Sequence, residues 1–180
     1  MTLRRYATGI LLLALVASSP GAARAEFYAA ISGGAYLPTG TSAYGSFQAR
    51  PTASLAVGWN SDHWGGSIWA GLVSTNAGVL LQENCFPVIF RGRGRLPLGV
   101  VVPYVFGGVG FAPSRALLNL VQHDTVAFTA QAGGGVDFVF GDMFTLGAEA
   151  GYLWLSPSYS FGTMDLNGIL LLATFGLRFP

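Results

Sequence analysis

Arg91, Arg93 and Arg95 stand two residues apart in the stretch FRGRGRLPL of a 180-residue chain in which only 9% of residues are charged. A guanidinium forks onto carboxylates, phosphates or other oxyanions, and it is seldom left unpaired away from water. On a strand the three would share one face, so that face is wet or full of partners. Asp137 and Glu149 are acids that could answer them. Nucleophilic catalysis has weaker material here. It needs a nucleophile and a base in hydrogen-bond reach, commonly Ser and His oriented by an acid. His63 and Ser67 would lie about 13 Å apart along a strand, too far for proton transfer. His123-Asp124 could join a serine such as Ser114 only through a loop conformation that the sequence does not specify. No metal-ligand spacing occurs, and Gly107-Gly108 and Gly133–Gly135 precede no helix that would complete a phosphate cradle. The expectation is no catalytic residue, no metal and no cofactor.

Composition indicates what positions the arginines. Met1–Ala25 reads as a cleaved secretory signal: Arg4 and Arg5 precede the apolar run GILLLALVA, and Ala23-Arg24-Ala25 supplies small residues for cleavage. That run falls well short of the roughly 20 residues of a membrane helix, so the expected mature domain is 26–180. Without Arg4, Arg5 and Arg24, six of nine basic residues remain against eight acidic ones, a net charge of −2. No basic surface for nucleic acid exists. A soluble exterior would carry charge at roughly 25–35% of its surface, which this chain cannot supply. Much of its outside must therefore face something other than water. Cys85, the single cysteine, allows no intrachain disulfide and is expected to be a passive loop thiol.

Beyond the signal, aromatic and β-branched residues alternate with Gly, Ser and Thr, the period-2 pattern of strands. Eight stretches follow: Glu26–Leu37, Arg50–Asn60, His63–Ser74, Val88–Pro97, Val100–Ala112, Thr125–Phe140, Phe144–Leu155 and Leu166–Phe179. Their connections alternate in length. Ser61-Asp62, Leu98-Gly99 and Gly141-Asp142-Met143 are tight turns, whereas Pro38–Ala49, Thr75–Pro87, Pro113–Asp124 and Ser156–Asp165 are long loops. Cross-strand parity supports the hairpins. Across Ser61-Asp62, Trp59, Val57 and Leu55 are expected opposite Trp64, Gly66 and Ile68. Across Gly141–Met143, Phe140 and Phe138 meet Phe144 and Leu146, while Asp137 meets Gly147 and Gly135 meets Glu149. One face is apolar, the other small or polar.

Closing eight strands removes every sheet edge. A soluble barrel would hide its apolar set inside and carry charge outside, but the polar face here is mostly Gly, Ser, Thr and Gln. The polar face therefore fits the lumen and the apolar face fits lipid. Trp59, Trp64, Phe140, Phe144, Phe27 and Phe179 gather at the tight-turn ends, and Tyr152 and Trp154 toward the loop ends, as two interfacial aromatic girdles would. The last strand, NGILLLATFGLRFP, and the Gly-rich hairpin GGGVDFVFGDMFTLGAEAGY with its inward Glu149 complete the pattern. In these the chain resembles the eight-stranded outer-membrane barrels of bacteria, the OmpA transmembrane domain and OmpX-like proteins. The resemblance implies an all-β, up-and-down transmembrane barrel whose terminal strand, ending at Phe179, is read by the barrel assembly machinery. Pro180 after that Phe departs from the family's ending, and no peptidoglycan-binding domain follows within this sequence.

With Val88, Phe90, Leu96 and Leu98 facing lipid, Arg91, Arg93 and Arg95 point inward. Asp137 and Glu149, with Gln131, Thr129 and Ser67, face them from other parts of the wall. An eight-stranded lumen is just wide enough for side chains to fill, so an ion network is expected, with Gly135 leaving room for Glu149. Its role is read as architectural, the alternative being a narrow channel or a site for a small anionic solute. Apolar clusters in the long loops, Val79-Leu80-Leu81 and Leu117-Leu118, form a lid or meet a partner. The functional expectation is a monomeric, non-enzymatic protein of the Gram-negative outer membrane that serves envelope integrity or surface interaction. A lipid A-modifying enzyme is the more distant alternative.

Overall fold

The computed structural model describes residues 26–42, 45–77, 81–118 and 121–179. The expected signal Met1–Ala25, together with Val79, Leu80 and Pro180, lies outside the described residues. In chain order the strands are β1 (Glu26–Pro38), β2 (Thr41–Ser42), β3 (Gly45–Ser46), β4 (Arg50–Asn60), β5 (Trp64–Ala77), β6 (Leu81–Cys85) and β7 (Val88–Arg95). They continue as β8 (Val101–Leu118), β9 (Val121–Phe140), β10 (Phe144–Leu155), β11 (Ser158–Tyr159), β12 (Gly162–Thr163) and β13 (Gly168–Phe179). Neighbours pair antiparallel around the order β4-β1-β13-β10-β9-β8-β7-β5, and β5 pairs back onto β4. The result is a closed eight-stranded barrel in which β6 and β7 form one wall strand interrupted at Phe86-Pro87. The short pairs β2–β3 and β11–β12 are hairpins within the loops.

The first and last strands seal the cylinder, with Phe27 opposite Phe179 and Tyr36 opposite Leu170. At the tight-turn end the seam is clamped by Arg178, whose Nε donates to Glu26 Oε2 at 2.8 Å. Turn chemistry is local: Gly99 and Gly141 hold φ of +76° and +62°, a conformation glycine adopts without the Cβ penalty. The β9–β10 register, with Phe140 on Phe144 and Gly135 on Glu149, agrees with the sequence reading. The β4–β5 register does not. Trp59 pairs with Gly66 and Val57 with Ile68, a shift of two residues from the expectation. The turn is longer than Ser61-Asp62, closed by the Ser61 N–H and hydroxyl both donating to the Trp64 carbonyl. Gly66 then leaves its face free for the Trp59 ring, which a Cβ there would meet at 2.4 Å.

Two stretches expected as loops are strand. Thr75–Pro87 contributes the end of β5 and all of β6, and Pro113–Asp124 extends the β8–β9 hairpin. At roughly 3.3 Å per residue, strands of 18 and 20 residues run well past the 9–11 that a bilayer needs. In this overhang the polarity of the two faces inverts. Ser74, Gln82, Asn84, Arg115, Gln122 and Asp124 turn outward, while Val73, Ala77, Leu81, Cys85, Ala112 and Ala116 are buried inside. Nearer the tight turns the outside is apolar, with Phe90, Val105, Phe128 and Phe138 exposed. The period of two is unbroken; only what it carries has swapped. Cys85 is accordingly not a loop thiol but a fully buried strand residue, because its parity directs it into the overhang's apolar interior.

Candidate functional site

The inward face of β7 brings Arg91, Arg93 and Arg95 into the lumen because its outward positions are Phe90, Gly92 and Gly94. Across the barrel, β9 contributes Gln131 and Asp137, and β10 contributes Glu149. Arg91 Nη1 donates to both Glu149 oxygens, at 3.1 and 3.3 Å, and Nη2 donates to Gln131 Oε1. Arg93 Nη1 donates to Asp137 Oδ2 at 3.3 Å, and its Nη2 lies 3.9 Å from Glu149 Oε2. Tyr104 donates its hydroxyl to the same Glu149 oxygen at 3.2 Å. Two cations and two anions thus close a neutral quartet. Arg95 stands apart, donating to the Ser61 carbonyl at 3.0 Å.

Aromatic rings flank both paired guanidiniums. The Arg91 carbon lies 4.4 Å from the Trp69 ring centre and 4.5 Å from that of Phe106. Arg93 lies between Tyr104, at 4.0 Å, and Tyr28, at 5.4 Å. Each plane is held edge-on by carboxylates and face-on by rings, two attractions that do not compete for the same part of the group. Sequence reasoning named the ions and passed over Tyr28, Trp69, Tyr104 and Phe106. Parity was the available signal, since Trp69 lies two residues from inward Ser67. Gly135 does sit opposite Glu149, but the Tyr104 ring takes the space it leaves: a Cβ on Gly135 would meet that ring at 2.6 Å.

Toward the loops the quartet is roofed by apolar side chains. Ile89, Leu153, Leu155 and Leu170 are buried above it, and Phe47, Met164 and Leu166 close in from the connecting segments. Toward the tight turns the lumen opens into a cleft of about 150 Å³ lined in part by Glu26, Ser61, Asp62, Arg95 and Arg178. The aromatics expected at the membrane interfaces lie on the outer wall: Trp64, Phe140, Phe144 and Phe179 are exposed at the tight-turn end and Trp59 is half-buried there. At the loop end Tyr152 and Trp154 meet edge to face at 4.9 Å. Asp124 faces outward onto Arg115 and Gln122, Ser114 is buried against Cys85, and His123 packs on Phe161 with Ser160 Oγ 3.4 Å from Nδ1.

No family model matches the chain, and no curated protein matches it in sequence. Solved structures do match. Neisserial surface protein A aligns with a TM-score of 0.65 at 12% identity, over 87% of this chain and 98% of its own. The N-terminal β-barrel domain of Pseudomonas aeruginosa OprF aligns at 0.58 and 14%, over 86% and 97%. Ail, the attachment invasion locus protein of Yersinia pestis solved with the heparin analogue sucrose octasulfate, aligns at 0.51 and 15%, over 87% and 99%. The fold is that of the small eight-stranded outer-membrane barrels.

Proposed function

We propose that this chain, after removal of Met1–Ala25, is a monomeric and non-enzymatic barrel of the Gram-negative outer membrane. It serves envelope integrity or presents its loop end to a surface partner, and it does not conduct. One observation carries the reading: the lumen is filled by two stacked layers, the Arg91–Arg93–Asp137–Glu149 quartet wedged between rings and the apolar roof above it. A solute would have to separate paired, desolvated ions and then cross an apolar stretch, and each barrier opposes permeation. The exposed apolar wall supports immersion in lipid, because so broad an apolar surface in water would drive association. Phe179 at the end of β13 fits recognition by the barrel assembly machinery.

The partner at the loop end is not a polyanion of the sulfated type seen with Ail. Among the described residues only Arg50 and Arg115 lie at that end, and Arg115 is paired with Asp124, far short of the clustered cations such a ligand requires. Cell fractionation with heat-modifiable gel migration tests the location. Planar-bilayer recording tests the seal: wild-type protein is expected to be silent, and discrete conductance steps from it would overturn the reading in favour of a narrow channel. Removing loop tips and measuring cell-surface binding tests the surface role.

A further inference from the structure

Glu83 is an acid that the lumen quartet does not use. It lies on β6 in the overhang, level with the outward Arg115–Asp124 pair and therefore beyond the lipid-facing zone, yet it is fully buried. Its Oε1 accepts from the Tyr159 hydroxyl and from Cys85 Sγ, the latter at 3.6 Å, and its Oε2 has no hydrogen-bond partner among the described residues. Thr75, across the β5–β6 ladder, is turned to the Gln48 carbonyl. Ser114 of β8 is turned to Cys85. Behind these stand Tyr36 of β1, bound to the Leu166 carbonyl; His123 of β9, against Phe161; and Asp165 after β12. Among the described residues no cation faces the carboxyl: Arg115 is outward on Asp124, and Arg50 lies against the Asn76 side chain.

Tyr159 belongs to the β11–β12 hairpin, a strap across the barrel mouth. Tyr159 and Phe161 stack with centres 5.2 Å apart, Ser158 and Thr163 hydroxyls meet at 2.9 Å, and both rings pack against the apolar roof. We propose that Glu83 is the catch of this strap: its neutral carboxyl under Tyr159 keeps the mouth shut, and loss of its proton to solvent frees the hairpin and admits water to the apolar chamber. Burial pushes the carboxyl up from 4.5 to about 7, against the opposing hydrogen bonds of Tyr159 and Cys85. The shut state thus holds the proton more tightly than the open one. Acid favours closure; closure weakens as pH rises from about 4.5 through about 7. That interval bounds the effect at about 300-fold in the shut-to-open ratio, tenfold for each pH unit.

Cys85, buried beneath the strap, is a built-in reporter. Its labelling by a charged, water-soluble maleimide would be timed between about pH 5.5 and about 8.5 on protein in phosphatidylcholine vesicles, comparing wild type with E83Q and Y159F. Wild type should outpace E83Q about tenfold at about pH 5.5, one unit above the open carboxyl's 4.5, and by a further factor of at least about ten above neutrality. Y159F, which keeps the ring but loses the bond, should label faster than wild type already in acid. A static mouth gives the opposite sign, because a carboxylate beside the thiol suppresses the thiolate and slows wild type relative to E83Q. That result, or Y159F indistinguishable from wild type in acid, overturns the proposal. Should E83Q not give a heat-modifiable barrel, the Y159F comparison decides by itself.

Discussion

Removing Glu149 interrogates the lumen most directly. The carboxylate accepts twice from Arg91, once from Tyr104, and faces Arg93 at 3.9 Å. Both Arg91 and Glu149 side chains are nearly inaccessible, at 3% and 5% exposure, so the pair belongs to the buried regime rather than to the 0–1 kcal/mol of surface pairs. In Glu149→Leu the quartet keeps two guanidiniums and one carboxylate, leaving a net positive charge in a closed interior. The expected loss is about 3–5 kcal/mol. The double variant Arg91→Met/Glu149→Leu removes one ion of each sign and leaves Arg93 with Asp137, so its stability should lie within about 1 kcal/mol of wild type or exceed it. Reversible urea unfolding in phosphatidylcholine vesicles, followed by tryptophan emission, measures both. A single variant costing under about 1 kcal/mol, or a double variant equal to the sum of its singles, would refute a desolvated and mutually dependent network.

Other outcomes follow from the same geometry. In a Cys85→Ser background, cysteines placed at Leu55, Ile68 or Leu171, which point outward from the wall, should resist a water-borne thiol reagent in intact membranes; ready labelling would mean the barrel is inside out. Gly135→Val should displace the Tyr104 ring from Glu149 and cost about 1–3 kcal/mol through overpacking, read by the same urea titration. Asp124→Asn should leave the unfolding midpoint unchanged, because the Arg115–Asp124 pair is well exposed, at 61% and 59%; a clear drop would show that the overhang leans on its outer charges.

Much of this architecture is local and was legible in the residues. Strict alternation assigns a side of the wall to every strand residue, since successive side chains of a strand must point opposite ways. Hence the inward set of Arg91, Arg93, Arg95, Asp137 and Glu149 needed no coordinates. The β9–β10 register was legible too, because the three-residue turn read at Gly141-Asp142-Met143 is the one that forms. Around Ser61 two turn lengths keep the same parity, so the face pattern could not separate them, and tertiary pairing settled on Trp59 opposite Gly66.

The overhang is hidden in the sequence for a related reason. Its alternation has the same period as the wall, with apolar residues moved indoors and polar ones outdoors, and a single sequence does not state where lipid gives way to water. The cross-lumen partners were equally hidden. Which ring covers which guanidinium depends on the stagger with which eight strands close, a property of the whole cylinder and not of any one strand. Residue order thus determined which side chains enter the lumen; closure alone decided that Trp69 and Phe106 would enclose Arg91, that Tyr28 and Tyr104 would flank Arg93, and that Glu83 would lie under Tyr159.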